Sequence, residues 1–296
     1  MALFPVDSAR FAARRFAAGF LRDAARVALV PAAVITLSCG AALAATPPRS
    51  QFAEKSPEAA FGVLAGQITG DRASGGAESE ALQEQALEIL DRAALEQLNG
   101  APAPGSSATQ AAPDLNRVNM RLASFVTHQP PIGEAYRVAR LGGNPSAYAL
   151  VADFGLSGPS AVRVYAGAPG SLALAARIDR YAQKDFFDDY TELVTLPGPA
   201  AVFVTVTGRT DDLQTGFFTA WYFDGSALSA VWSSDILERS SYEVAADGFR
   251  LTYCADNSDA APGGPCHTMR RDRYLWQSNR WERAETNSLP SQAATP

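Results

Sequence analysis

The chain has few of the residues on which nucleophilic and metal sites depend. Its 296 residues include three cysteines, two histidines and two lysines, Lys55 and Lys184. No G-x-S-x-G, H-E-x-x-H, G-x-G-x-x-G or phosphate-loop sequence occurs, so the common signatures of serine hydrolases, metalloproteases and nucleotide-binding proteins are missing. The sequence therefore predicts no catalytic residue set, no metal and no cofactor, and it leans against an enzyme.

Positive charge is also scarce. The whole chain has a net charge of −6, and residues 1–44 contribute five arginines against Asp7 and Asp23, which leaves −9 on the remainder. Nucleic acids and anionic lipids attract basic surfaces. The charge therefore excludes nucleic acid as an expected partner and restricts expected membrane contact to the N-terminus.

Residues 1–44 have the order of a secretory signal peptide. Arginines precede the uncharged apolar run Val27–Leu37, and Ala42-Leu43-Ala44 forms an A-x-A cleavage signature. The chain is therefore predicted to be exported to the periplasm or the extracellular space. Acylation at Cys39, an uncleaved membrane anchor from Val27 to Pro48 and an organellar transit peptide are the alternatives.

Two cysteines follow the predicted signal peptide. Cys254 and Cys266 are twelve residues apart, and His267 comes directly after the second. In an oxidising compartment such a pair usually closes a disulfide. The alternative is a thiol or metal site with His267, but two cysteines and one histidine are too few for a closed tetrahedral zinc site. We therefore predict a disulfide between Cys254 and Cys266.

Residues 45–130 are predicted to be a helical and linker region that is partly disordered and tethers the domain that follows. Ser56-Pro57 is typical of a helix start, Glu78–Leu98 carries an apolar stripe with helical spacing, and Asp114 can cap a third helix. Ala101–Pro113 reads as a Pro/Ser/Ala linker. The apolar stripes of the helices could pack on the following domain or on a partner, and we expect packing within the chain.

Residues 131–285 are predicted to be an all-β domain, because β-branched and aromatic residues alternate there with period two. A pattern of four strands recurs three times, each copy spanning roughly 50 residues. The predicted strands are Glu134–Leu141, Ala147–Phe154, Ala161–Ala166 and Leu172–Ile178; Tyr190–Leu196, Val202–Thr207, Phe217–Phe223 and Leu228–Ser233; and Tyr242–Ala246, Phe249–Cys254, Arg273–Trp276 and Arg280–Arg283.

The repeat count constrains how these strands are arranged. Val202–Thr207 and Phe217–Phe223 are apolar on both faces, so each should be covered on both sides. An antiparallel meander of about twelve strands with a propeller-like or a β-trefoil-like closure fits three copies of four strands. Residues 286–296 are predicted to be a disordered tail.

Five residues are candidates for ligand binding. Aromatic faces with a polar tip suit sugar or peptide ligands, which singles out Trp276 and Trp281 near the end of the domain. Asp188 and Asp189 could form an acidic pair, and His267 lies beside the predicted disulfide loop.

The sequence favours an exported, non-catalytic binding or interaction protein whose ligand is a protein or a carbohydrate. The alternative is an extracytoplasmic, glycan-directed hydrolase that uses Asp188 and Asp189, because glycosidases work with two facing carboxylates. A component of the cell envelope tethered through residues 46–130 is a third, weaker hypothesis.

Overall fold

The structure is a computed structural model, and it describes residues 56–74, 79–100, 112–130, 133–142, 146–155, 160–181, 189–198, 200–209, 215–256, 266–278 and 280–290. The predicted signal peptide, the possible acylation site at Cys39 and nearly all of the predicted linker lie outside these residues.

Three helices precede the strands: α1 (Pro57–Ser74), α2 (Ser79–Leu98) and α3 (Leu115–Ala123). The Ser56 Oγ atom accepts a hydrogen bond from the Ala59 N–H group at 3.3 Å, before α1. The Asp114 carboxylate accepts the N–H groups of Asn116 and Arg117 at 3.1 and 3.3 Å, which makes it the N-cap of α3. Both caps satisfy backbone donors that a helix leaves unpaired in its first turn.

Twelve strands form three four-stranded antiparallel sheets, and each sheet is a meander of consecutive strands. Sheet 1 contains β1 (Tyr136–Arg140), β2 (Ala147–Ala152), β3 (Ser160–Ala166) and β4 (Ala173–Tyr181). Sheet 2 contains β5 (Tyr190–Thr195), β6 (Val202–Gly208), β7 (Gly216–Phe223) and β8 (Leu228–Ser233). Sheet 3 contains β9 (Ser241–Ala245), β10 (Gly248–Cys254), β11 (Thr268–Gln277) and β12 (Arg280–Pro290). The predicted all-β architecture of twelve strands in three groups of four is confirmed.

The last strand is longer than predicted. Residues 286–290, expected in the tail, belong to β12 and pair with β11 as far as Pro290 opposite Thr268. The reason is that β11 is ten residues long and offers backbone partners along its whole length.

The helices pack on one face of sheet 1. One hydrophobic cluster joins Phe61, Leu90 and Leu122 of the three helices to Tyr136 and Tyr165 of the sheet. The Phe61 ring contacts the Tyr136 ring edge to face, with 5.6 Å between ring centroids. The apolar stripes of the helices therefore pack within the chain, on sheet 1.

Sheet 2 is the middle layer of the β domain. Phe203 of β6 packs in a cluster between sheets 1 and 2, whereas Val202 and Val204 pack in a cluster between sheets 2 and 3. On β7, Trp221 belongs to the cluster between sheets 1 and 2, and Phe218 belongs to the cluster between sheets 2 and 3. The two-sided apolar pattern of β6 and β7 is thus explained by burial on both faces.

Sheet 3 is an outer layer of the three sheets. On the face opposite Phe249, Arg250 forms an ion pair with Glu243 at 3.3 Å, and Arg273 lies 3.9 Å from Glu285. Helices cover the outer face of sheet 1, and charged side chains occupy the outer face of sheet 3. In the described residues the layers therefore form an open stack of helices and three sheets, and neither a propeller-like nor a trefoil-like closure is found.

No helix in the described ranges combines the length and the apolar character needed to cross a lipid bilayer.

Candidate functional site

A small pocket lies between sheets 2 and 3, at the end of the stack where β5 leads into β6 and β9 turns into β10. Its volume is about 190 Å³. It is lined by Leu196, Pro197, Gly198, Ala200, Val202, Ala246, Asp247, Gly248, Trp276 and Trp281. Drug-sized ligands typically occupy about 300–1,000 Å³, so this pocket matches a single ring or one side chain.

The two pocket tryptophans are neighbours on sheet 3. Trp276 on β11 and Trp281 on β12 are directly paired across the strands. Trp281 stacks on Tyr274, with ring centroids 5.9 Å apart and planes inclined by 10°. Trp276 contacts Tyr222 of sheet 2 at a centroid distance of 4.8 Å. Aromatic partners from both sheets thus fix the two indole rings before any ligand arrives.

One of the residues that line the pocket carries a polar atom that the described part of the protein leaves unsatisfied. Trp281 is 8% exposed, and its Nε1–H group is buried without a hydrogen-bond partner in the described part of the chain. An indole N–H group can only donate. A buried donor without an acceptor costs about 1–3 kcal/mol. A ligand that brings an oxygen acceptor would remove that cost.

Asp247 is the acidic residue among those that line the pocket. Asp247, in the turn between β9 and β10, is half-exposed and forms an ion pair with Arg273. A carboxylate accepts hydrogen bonds only, so Asp247 can receive hydroxyl or amide hydrogens from a ligand. The lining residues therefore include two tryptophans, one of which has a buried unpartnered N–H group, and one aspartate.

The structure separates the other sequence candidates from this pocket. Asp189 immediately precedes β5, whereas the pocket residues follow its other end, about 20 Å away at 3.3 Å per residue. His267 precedes β11 and is about 30 Å along that strand from Trp276. Asp188 lies outside the described residues. Trp276 and Trp281 are thus brought together, and Asp189 and His267 are not.

The predicted disulfide is present: Cys254 and Cys266 are bonded, with their Cα atoms 5.8 Å apart. The His267 backbone N–H group donates to the Asp256 carboxylate. That bond, with one from Thr268, lowers the pKa of Asp256.

A buried carboxylate that sequence reasoning missed lies between sheets 1 and 2. Asp153 is 0% exposed, and it accepts the N–H groups of Gly155 at 2.6 Å and Thr191 at 3.0 Å. His128 Nε2 is 3.9 Å from the Asp153 carboxylate. Gly155 has a φ of +63°, and a Cβ atom there would come within 2.9 Å of the His128 ring. Glycine at this position therefore lets the imidazole pack against the backbone.

The Asp153 cluster is not a Ser–His–Asp relay. The Ser160 Oγ atom donates to Thr191 Oγ1 at 2.7 Å, so its proton points to a threonine and not to His128. Burial raises the pKa of Asp153 to about 6, although the Gly155 and Thr191 N–H groups oppose the rise. Burial also lowers the pKa of His128. The cluster joins sheets 1 and 2 through hydrogen bonds and presents no activated nucleophile.

A second buried group, Arg163 of β3, joins α2 to sheet 1. It is 1% exposed; its Nε atom is 3.4 Å from the Asp91 carboxylate, and its Nη1 atom donates to Asp179. The Tyr165 hydroxyl also donates to Asp91, at 2.7 Å. Burial raises the pKa of Asp91, and the charge on Arg163 opposes that rise. These contacts are all between protein groups and join α2 to sheet 1.

A third buried group, Asp272 of β11, is bound within sheet 3. Its carboxylate accepts hydrogen bonds from Thr286 at 2.8 Å, Tyr253 at 2.9 Å, Arg270 at 3.0 Å and Arg283 at 3.3 Å. Burial alone would raise the pKa of Asp272, but the bonds from Thr286 and Tyr253 and the charge on Arg270 hold it below its ordinary value. Asp272 is therefore satisfied by its own sheet.

Two other concave surfaces involve the helices. A broad groove of about 850 Å³ runs between α3 and β1 and includes the exposed Met120 and Val126. A groove of about 290 Å³ lies between α1 and α2. The groove between α3 and β1 also includes the buried Tyr136. No tryptophan is among the described residues that line either groove, so the pocket between sheets 2 and 3, where two tryptophans meet a carboxylate-bearing turn, is the stronger candidate.

Comparison of the chain with protein-family models, with curated proteins and with solved structures gives no match.

Proposed function

We propose that this chain is an exported, non-catalytic binding protein that holds one sugar ring of a carbohydrate in the pocket between sheets 2 and 3. The observation that carries the proposal is the buried, unpartnered Nε1–H group of Trp281 among the residues that line this pocket.

Carbohydrate is the ligand class that matches the pocket chemistry best. A pyranose presents apolar C–H faces, which pack on indole rings, and hydroxyl groups, which both accept and donate. One hydroxyl oxygen would accept from Trp281 Nε1, and another hydroxyl would donate to Asp247. The pocket volume of about 190 Å³ holds one such ring.

The number of acidic residues at the pocket favours binding over hydrolysis. Asp247 is the one acidic side chain among the described lining residues, and glycoside hydrolysis ordinarily requires two carboxylates that face each other across the sugar. The hydrolase hypothesis keeps Asp188 and Asp189 as its acidic pair, at the other end of β5.

Export is the second part of the proposal. It rests on the signal-peptide pattern of residues 1–44. The Cys254–Cys266 disulfide is compatible with it, because disulfides persist in oxidising compartments. Fractionation of producing cells, with mass spectrometry of the N-terminus, tests this part: we expect a chain that begins near residue 45 outside the cytoplasm. Intact protein in the cytosol with free Cys254 and Cys266 would contradict it.

Calorimetric titration with glucose, galactose, N-acetylglucosamine, glucuronic acid and their disaccharides tests the binding function. Trp281→Phe keeps an aromatic ring but removes the donor, and we expect at least tenfold weaker binding. Trp232→Phe is the matched control, since Trp232 contacts Trp281 but does not line the pocket; it should bind as the wild type does.

The same samples distinguish binding from turnover. We expect no new reducing ends after prolonged incubation with the disaccharides. If the wild type releases reducing ends and the Asp189→Asn variant does not, the hydrolase hypothesis is supported instead. If Trp281→Phe binds the sugar with the same affinity as the wild type, the pocket is not the binding site. If no sugar binds but an aromatic dipeptide does, the ligand of the pocket is a peptide.

A further inference from the structure

Three sulfur atoms meet where β10 and β11 join, far from the tryptophan pocket. Cys254 is the last residue of β10, Cys266 lies two residues before β11, and Met269 is the strand partner of Cys254 on β11. The Cys266 Sγ atom is 3.4 Å from the Met269 Sδ atom as well as being bonded to Cys254. The backbone pairing of two strands therefore holds a thioether against a cysteine pair.

An oxygen ligand lies beside the sulfurs but is already engaged. One carboxylate oxygen of Asp256 and the two cysteine sulfurs all lie within 4.8 Å of one another. The Asp256 Oδ2 atom accepts the His267 backbone N–H group. All three residues are partly exposed, so a small ion can reach them from solvent.

We propose that the dithiol form of the chain binds one Cu(I) ion through the sulfur atoms of Cys254, Cys266 and Met269. Two thiolates and one thioether form a soft donor set, and soft sulfur ligands favour Cu(I) among the biological metals. Asp256 is a hard donor and stays outside the ligand set, where it holds the start of β11 through His267.

The redox and proton balance of the site is simple. A dithiol reductant reduces the Cys254–Cys266 disulfide by thiol–disulfide exchange, and the reductant becomes a disulfide while the chain gains two thiols. Cu(I) then binds, and both thiols release their protons as two Cu–S bonds form. Copper keeps its oxidation state. Because the disulfide and the metal use the same two sulfurs, each excludes the other.

Zinc is the competing ion. Cys254, Cys266 and Asp256 could hold Zn²⁺ with a water as the fourth ligand, the pattern of an open zinc site. The two assignments differ in the third protein ligand: Cu(I) requires Met269, and Zn²⁺ requires Asp256. Substitution of each residue therefore separates them.

The experiment is an anaerobic titration of the full chain. The protein is reduced with dithiothreitol, freed of reductant and titrated with Cu(I) against bathocuproine disulfonate, and in parallel with Zn²⁺ against a chromophoric chelator. We expect one Cu(I) per chain in the dithiol form and none at this site in the disulfide form. Met269→Leu should weaken Cu(I) binding at least tenfold, and Asp256→Asn should change it less than twofold.

Two controls keep the result interpretable. Met120→Leu replaces a methionine that is 76% exposed on α3, and it should bind Cu(I) as the wild type does. The double variant Cys254→Ser/Cys266→Ser keeps Cys39 and measures any copper held there. Circular dichroism checks that each variant is folded. Equal Cu(I) affinity of Met269→Leu and wild type, or tighter binding of Zn²⁺ that is lost in Asp256→Asn, would overturn the proposal.

Discussion

Replacement of Arg163 by methionine should destabilise the contact between α2 and sheet 1. Arg163 is 1% exposed and is the cation that faces Asp91, whose side chain is 14% exposed. Methionine fills most of the same volume but leaves the Asp91 carboxylate buried without its counter-charge. Removing one partner of a buried ion pair costs about 3–5 kcal/mol, and we expect a loss in the free energy of unfolding within this range.

The second partner of Arg163 adds little to this cost. The Asp179 side chain is 41% exposed, so water replaces the lost guanidinium. Asp91 also keeps its hydrogen bond from Tyr165. Arg163→Met/Asp91→Asn should therefore recover about 2 kcal/mol, because the amide oxygen still accepts from Tyr165 and no buried charge remains unpaired.

Urea unfolding followed by circular dichroism measures these differences, and hydrogen exchange shows whether α2 opens first. Arg177→Met is the matched control: Arg177 is 49% exposed and pairs with Asp179 at 3.4 Å, and such surface pairs contribute about 0–1 kcal/mol. A loss below about 1 kcal/mol for Arg163→Met, or a double variant no more stable than the single one, would refute the reasoning.

Three further predictions concern the sheets. Cys254→Ser/Cys266→Ser should lower the free energy of unfolding by about 2–3 kcal/mol, since the bond closes a loop across a separation of twelve residues; equal stability in urea would contradict this. The folded-state pKa of Asp153, raised from 3.8 to about 6, means that the folded chain holds a proton that the unfolded chain has lost between these pH values. Its contribution therefore makes stability fall as pH rises from about 4 to 6, and Asp153→Asn should remove this pH-dependent component, measured by urea unfolding across pH. Gly155→Ala should cost more than about 1 kcal/mol, because the new Cβ atom meets the His128 ring; His128→Ala in the same chain should recover part of this loss, and no recovery would remove the steric explanation.

The strands could be predicted because their determinants are local. Alternation of apolar residues predicted β6 and β7 nearly to their ends. The hairpin between β7 and β8 is also local: Gly225 has a φ of +105°, and the Asp224 carboxylate accepts the Ala227 N–H group at 2.7 Å. The end of β12 was missed because residues 286–290 lack that alternation and are held by backbone pairing with β11.

The buried polar groups could not be predicted because their partners are remote in sequence. Arg163 meets Asp91 from a helix some 70 residues earlier, and Asp153 binds Thr191 of another sheet. The way in which the three sheets are arranged could not be predicted for the same reason, because it depends on which sheet faces are covered by helices and which carry charged residues. For the pocket, aromatic character singled out Trp276 and Trp281, but only the packing of sheet 2 on sheet 3 brings Leu196–Val202 against them.

The indole N–H resonances of the four tryptophans give the most direct test of the binding pocket. In a ¹H–¹⁵N spectrum, addition of the best-binding saccharide should move the Trp281 signal downfield as its buried Nε1–H group gains an acceptor. The Trp221 signal should stay in place, because Trp221 Nε1 already donates to Thr205 at 2.9 Å inside the core. A saccharide that binds without moving the Trp281 signal, or that moves Trp221 equally, would contradict a ligand site between sheets 2 and 3.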